Sequence, residues 1–364
     1  MRVAVLGAAG TIAPAIVRDL ADSRQVADLL LLDLDEDRAR AVAATHGGRR
    51  AAARRADARR GLAAQLDGVD VLVNSASYRV NVDAMRGCLE AGCHYLDLGG
   101  LYWMTGRQLE LDDELRAAGL LGILGIGSSP GKTNVMAALA VRRLGERPER
   151  IDVVAAGRDL DPPDGFSVPY SLRTLLDELT MRPVVVEDGR AQELEPLSEG
   201  GLVRLPEPIG EAETIHTLHS EVRTFPESFG CRRARFRLSL APELLGRLRA
   251  LAGATDEEIE AAAGTVLPPS PRTVSVHLVE VEGQSGRVVR VTAVTHPVDA
   301  WGLGGGVVST AAPAAAAVRL LGRGQIDARG ALPPERCLEP DLLLPELERR
   351  SCRFAVETQE PVRA

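Results

Sequence analysis

Chemistry in this chain concentrates in a few short stretches. Lys132 is the only lysine among 43 basic residues, the rest being arginine. It sits in Ile126-Gly-Ser-Ser-Pro-Gly-Lys-Thr-Asn134, between an apolar run and an amphipathic helix. An ammonium is a compact, rotatable charge whose pKa falls on burial, which a guanidinium does not offer. Two readings stay open: a ligand-facing residue, as anion anchor or base, and a leftover charge on a solvated helix start. Gly-Lys-Thr also suggests a nucleoside-triphosphate loop, which needs a glycine five residues before the Gly-Lys pair's glycine. Ile126 occupies that position, and Pro130 lacks an N–H, so that activity is set aside. His219 and Glu221 are two apart; on a strand they would share a face, with His216 turned away. A carboxylate beside an imidazole favours its charged form and fixes its orientation, which suits proton transfer at a reacting amine. The competing reading is a solvated pair on a sheet face. Asp97, at the end of an apolar run, would hold a substrate ammonium or cap a turn.

Gly7-Ala-Ala-Gly10-Thr-Ile-Ala13 follows the first apolar run and opens the first helical pattern, the context of a dinucleotide-binding turn. Gly7 allows the tight turn, Gly10 lets backbone approach a pyrophosphate, and Ala13 lets the helix pack closely. The amides near Thr11 and Ile12 would face the phosphates. The spacing is GxxGxxA, one residue off GxGxxG. Asp33 ends the second apolar run, where a carboxylate accepts from the adenosine ribose 2′-hydroxyl. A 2′-phosphate there meets Asp33, Asp35, Glu36 and Asp37, each contact repulsion costing about 1 to 4 kcal/mol at intermediate dielectric. NAD is therefore favoured as cofactor, with NADP possible through Arg38. Asn74 and Ser75 are expected near the nicotinamide ribose.

These residues need elements to position them. Arg2–Gly7, Leu29–Asp33, Val69–Asn74, His94–Gly99 and Leu120–Ile126 read as strands. They alternate with helical patterns at Thr11–Ala21, Arg38–Thr45, Val82–Ala91, Leu111–Ala118 and Thr133–Leu144. The fold class is α/β: a Rossmann-type doubly wound parallel sheet plus a second mixed α/β domain with antiparallel strands. Domains are expected at 1–132 (dinucleotide-binding), 133–300 (substrate and dimerisation) and 301–364, a helical segment packing back on the first. Thr273–Glu282 and Val288–Thr295 read as a hairpin around Gly283-Gln-Ser-Gly286. Tyr102 and Trp103 are placed near the pocket wall, Trp103 as core.

A chain of 364 residues has room for two cores. The formal charge of -8 argues against a nucleic-acid partner, which requires a basic surface. Arg49-Arg50 and Arg54-Arg55 read as solvated faces. Five scattered cysteines match no metal or disulfide framework, Cys88, Cys93 and His94 included, so no metal is expected. No apolar run reaches roughly 18 residues, and the expected setting is the cytoplasm, without membrane association.

Together the blocks Glu90-Ala-Gly-Cys-His-Tyr-Leu-Asp97 with Gly99-Gly100, Pro130-Gly131 with Asn134, His219-Ser-Glu221 with Thr224-Phe-Pro226, and Gly324-Gln-Ile with Gly330-Ala-Leu-Pro-Pro-Glu335 resemble the saccharopine dehydrogenase-like family, particularly its L-lysine 6-dehydrogenase branch. The resemblance implies a dinucleotide domain, an inserted mixed α/β substrate domain and pyridine-nucleotide oxidoreduction at an amino-acid C–N bond. The chain departs from the family at Ser129, where an acidic residue often precedes Pro-Gly, and the resemblance assigns no role to Lys132. The expected activity is NAD(P)-dependent oxidative deamination of L-lysine or a related basic amino acid to an imine or semialdehyde, by a homodimer. The alternatives are a saccharopine-type enzyme forming or cleaving a secondary amine, and a non-catalytic dinucleotide sensor or enoyl-reductase-like enzyme.

Overall fold

The computed structural model describes residues 1–361. Two compact units emerge: Met1–Lys132 with Val308–Leu347, and Thr133–Val307 with the stretch from Glu348 onward.

In the first unit, β1 (Arg2–Leu6), β2 (Asp28–Asp33), β3 (Ala51–Arg55), β4 (Val71–Asn74), β5 (His94–Asp97) and β6 (Leu121–Ile123) join a late strand, Gly330–Leu332, in one parallel sheet. The spatial order is the late strand, then β6, β5, β4, β1, β2, β3. The order reverses direction beside β1, which opens the crevice at the carboxyl ends of β1 and β4. Val3, Ala4, Val5, Leu31 and Val73 are fully buried, which is why these strands are continuous apolar runs. An edge strand and a helix are among the elements that lacked a sequence signal. β3 is Ala-Ala-Ala-Arg-Arg on the sheet edge, with no β-branched residue and three of its five residues exposed. The helix Leu101–Leu109 carries Tyr102 and Trp103; Trp103 is 54% exposed and not core, packing edge-on against the buried Tyr102.

The helix Gly305–Gly322 is long and apolar enough to cross a membrane by length and composition. In the first unit its alanines are buried, and Arg319 within it bonds Asp19 and Glu346, both at 2.8 Å. These are the marks of a core helix.

The second unit is built on β7 (Pro148–Asp159), β8 (Val184–Glu187), β9 (Arg190–Glu193), β10 (Glu199–Arg204), β11 (Glu211–His216), β12 (Arg233–Ser239), β13 (Thr273–Gly283) and β14 (Val288–Thr295). With β15 for Gly330–Leu332, the last strand is β16 (Cys352–Gln359). The order is β10-β11-β12-β7-β13-β14-β16, with β8 on β12 and β9 on β8. Only β7 and β12 run parallel; the β13–β14 hairpin pairs from Ser275↔Thr295 to Glu282↔Val288, as its alternation predicts. The stretch after residue 301 is not helical alone, since it supplies β15 and β16. β15 has three residues, and β16 is a mostly exposed edge strand, so neither leaves an apolar pattern.

Candidate functional site

The glycine turn is pinned to β2. Gly7 and Ala8 donate to the Leu32 carbonyl (2.9 and 3.2 Å), and Ala9 donates to Asp33 Oδ2 (2.9 Å). Gly7 has φ +77°, and a Cβ there would stand 2.6 Å from Ala76 Cα, so only glycine fits. Ile12 is buried and caps the helix Ala13–Ala21, which has a proline in its first turn, while Thr11 is exposed. The amides of Thr11 and Ile12 precede the helix, where orphan N–H groups and helix polarity favour phosphate. This cradle fits a dinucleotide pyrophosphate. Asp33 ends β2 half-exposed and also accepts from the Asp35 amide (2.9 Å). Next to it lies a groove of about 550 Å³ lined by Leu34, Asp35, Glu36, Asp37, Arg40 and Arg55. Arg40 bonds Glu36 (2.6 Å) and Asp37 (2.7 Å), which offsets part of the acidic charge. Arg55 was missed by sequence reasoning: the β2–β3 register sets it opposite Asp33, and no hydrogen bond or ion pair engages it among the described residues. The signal was hidden because β3 itself was unreadable.

Asn74 and Ser75 do not present free side chains to a cofactor. Asn74 is buried, donating to Asn81 Oδ1 (2.9 Å) and Tyr95 (3.1 Å). Ser75 Oγ donates to the Leu6 carbonyl (2.9 Å), tying β4 to β1. Asp97 is corrected more sharply. Its carboxylate accepts from the Gly99 and Gly125 amides (both 2.8 Å), Gln108 Nε2 (2.6 Å) and Asn81 Nδ2 (3.3 Å). Four donors fill its acceptor positions, which leaves none for a substrate ammonium. Burial pushes its carboxyl up, and these hydrogen bonds pull the other way. Asp97 is a structural pin between β5 and the loop after β6. Cys88 and Cys93 are core residues, and His94 Nδ1 accepts from the Leu121 amide (3.0 Å), binding β5 to β6.

The loop pinned by Asp97 delivers Lys132. A Cβ on Gly99 would meet Pro130 Cδ at 3.0 Å, so glycine lets the two loops close up. Lys132 opens its helix but is 1% exposed, which overturns the solvated reading. Its Nζ donates to Ser309 Oγ at 2.6 Å, and Ser128 and Thr310 hydroxyls lie 3.2 Å apart alongside. Ser309 was not foreseen; its only signal is Gly-Gly-Gly-Val-Val-Ser-Thr opening an apolar helix.

In the second unit, His219 and Glu221 are not on a strand. β11 stops at His216, His219 lies in the following loop, and Glu221 opens the helix Glu221–Phe229. They still meet: His219 Nδ1 is 3.2 Å from Glu221 Oε2, and both are buried. Glu178 Oε2 lies 3.8 Å from His219 Nε2, so the imidazole stands between two carboxylates. Tyr170 donates to Glu178, Thr133 Oγ1 donates to Glu221 (2.9 Å), and the Phe236 ring stacks on the imidazole at 3.4 Å. Burial alone would push His219 down, but Glu221 and Glu178 together lift it to about 9. Burial and then Glu178 push the Tyr170 phenol up. His219 thus carries a proton at neutral pH. Glu178, Tyr170 and Thr133 were not legible, being 41 to 88 residues away from the pair in sequence with no motif joining them.

The doubly wound sheet with its glycine cradle and acidic β2 end is a dinucleotide-binding unit, and the mixed-sheet unit holds the buried His219 between two carboxylates. Residues 3–123 match the family described as saccharopine dehydrogenase NADP binding domain. That match places a domain similar to the saccharopine dehydrogenase NADP-binding domain in the first unit. Carboxyaminopropylagmatine dehydrogenase of Synechocystis is 28% identical over 191 residues, 50% of this chain and 48% of that protein. Carboxynorspermidine synthase of Vibrio alginolyticus is 25% identical over 217 residues, 55% of this chain and 51% of that one. The chain thus matches these curated relatives over only about half their length. Apo saccharopine dehydrogenase (L-Glu forming) from Saccharomyces cerevisiae shares the fold, with TM-score 0.71 at 14% identity, over 98% of this chain and 99% of that one.

Proposed function

We propose that this protein is an NAD(P)-dependent oxidoreductase of a C–N bond, acting on a secondary amine that joins amino-acid and polyamine or amino-acid parts. The observation that carries this reading is the buried His219 held between Glu178 and Glu221 in a chain with an NAD(P)-binding domain. The names of the curated relatives, a carboxyaminopropylagmatine dehydrogenase and a carboxynorspermidine synthase, support the substrate class. Oxidative deamination of L-lysine is the competing reading, supported by the blocks around Pro130-Gly131 and His219-Ser-Glu221.

A bound nicotinamide supplies the hydride acceptor or donor. In oxidation, the C–H bond breaks as hydride leaves, the nitrogen lone pair forms C=N, and the amine proton needs an acceptor. That lone pair is available only on the neutral amine. His219, protonated up to about pH 9, gives its proton to the nitrogen in the C–N-reducing direction and accepts one only at higher pH. Lys132 is assigned as an anchor for an anionic group and not as a base, since its ammonium is held by a hydrogen bond to Ser309. Cofactor choice is set by Asp33, which repels a 2′-phosphate, against Arg55, which attracts one. The test is reduced-nucleotide formation and consumption at pH 7 and 9.5 with carboxylated secondary amines and with L-lysine. Turnover of L-lysine alone replaces the first reading with the second.

A further inference from the structure

The sheet of the second unit has a charged face that the reaction above does not use. Phe236, which carries the His219 stack, alternates on β12 with Arg235 and Arg237, so these arginines project from the opposite face. There a cavity of about 230 Å³ is lined by Arg150, Asp152, Arg235, Arg237 and Glu280, with Val154, Leu278, Leu202 and Val203 as apolar walls.

Most of these charges are matched. Arg235 grips Asp152 with two bonds (2.6 and 2.7 Å), and Arg150 reaches Glu280 (2.9 Å) and Glu282 (2.8 Å) as well as Asp152. Arg290, just outside, adds a bond to Glu280 (2.6 Å), so Glu282 and Arg290 cancel as a further pair. Three cations against two anions remain in the lining, a surplus of one positive charge. That surplus is Arg237. Its Nη1 donates only to the Gly200 carbonyl (2.9 Å), its Nη2 stands 3.9 Å from Asp152, and its Nε is buried without a hydrogen-bond partner. The side chain is 9% exposed. His216, opposite Arg237 in the β11–β12 register and so on the same face, also has a buried Nδ1 without a partner. A buried cation with unmade donors is expensive unless a partner completes it.

We propose that this cavity is a binding site for a small monocarboxylate with a short apolar body, its carboxylate on Arg237 and its chain against Val154, Leu278 and Leu202. A single surplus charge matches a monoanion and not a dianion. At about 30 Å³ per water, the volume equals roughly seven or eight waters, enough for an acid of about four carbons. The site is separate from the His219 cluster, so it stands or falls independently of the proposed reaction.

The experiment is calorimetric titration of the full chain with butyrate, and with inorganic phosphate for comparison, in wild type, Arg237→Gln and Leu202→Glu. Leu202 is 65% exposed, so its substitution adds a repelling charge at the wall without disturbing the buried lattice. Saturable one-to-one binding of butyrate is expected, weakened at least tenfold by Arg237→Gln and at least severalfold by Leu202→Glu. If Arg237→Gln does not melt cooperatively, Leu202→Glu decides. Absence of saturable butyrate binding in wild type, equal binding in Leu202→Glu, or phosphate binding tighter than butyrate would each overturn the proposal.

Discussion

Asp97, the last residue of β5, and His219, three residues beyond β11, are both buried ionisable groups, one in each unit, and their surroundings differ in kind. Asp97 is surrounded by neutral donors, two amides and two carboxamides, which satisfy its oxygens and leave nothing to exchange. His219 is surrounded by carboxylates and an aromatic face, which hold a proton on it without immobilising that proton in a saturated network. Depth of burial therefore does not separate structural from chemical residues. The charge and donor count of the neighbours does.

Substitutions should break this comparison in different currencies. The largest effect is expected at His219→Ala, which should lower turnover about 10²- to 10⁴-fold, the span of general acid–base catalysis, with a cooperative melt retained. Asp97→Ala should instead cost stability on the order of 2 to 4 kcal/mol, because two buried amides and Gln108 lose their acceptor. A turnover defect in Asp97→Ala without loss of stability would put it back in the chemistry.

The proton on His219 gives a pH signature. Its folded pKa, about 9, exceeds the unfolded 6.5, so its contribution to stability is complete below about pH 6.5 and is lost as pH rises through 9. At one unit per 1.36 kcal/mol, that contribution is about 3 kcal/mol. Glu221→Gln should shrink this alkaline loss and move the corresponding limb of the pH–rate profile down; unchanged profiles would remove the carboxylate from its assigned part. The smallest effect is cofactor choice: Asp33→Ser should raise, and Arg55→Ala lower, relative NADP affinity by about tenfold, the size of a single screened charge contact, read by fluorescence titration. Equal NAD and NADP responses would dismiss both residues as selectors.

The first unit was legible because parallel strands buried on both faces must be apolar runs, and because the glycine turn and Asp33 lie at fixed distances from them. β3 escaped because an exposed edge strand of alanine and arginine carries no such constraint, and Arg55 escaped with it. The His219–Glu221 pair was visible from spacing for the wrong local reason, since a loop and a helix start bring them together where a strand was expected. Glu178, Tyr170 and Thr133 join them only through tertiary packing, which no short-range pattern encodes. Lys132 was marked by composition, but its burial and its bond to Ser309, 177 residues away, were not.

The most direct test of the central claim is spectrophotometric: reduced nicotinamide nucleotide followed at pH 7 and 9.5 with a panel of carboxylated secondary amines, L-lysine and free polyamines, in both directions. The account predicts turnover with a carboxylated secondary amine, with oxidation rising toward pH 9.5 and reduction favoured at pH 7. No turnover with any amine in either direction, despite dinucleotide binding, would contradict it.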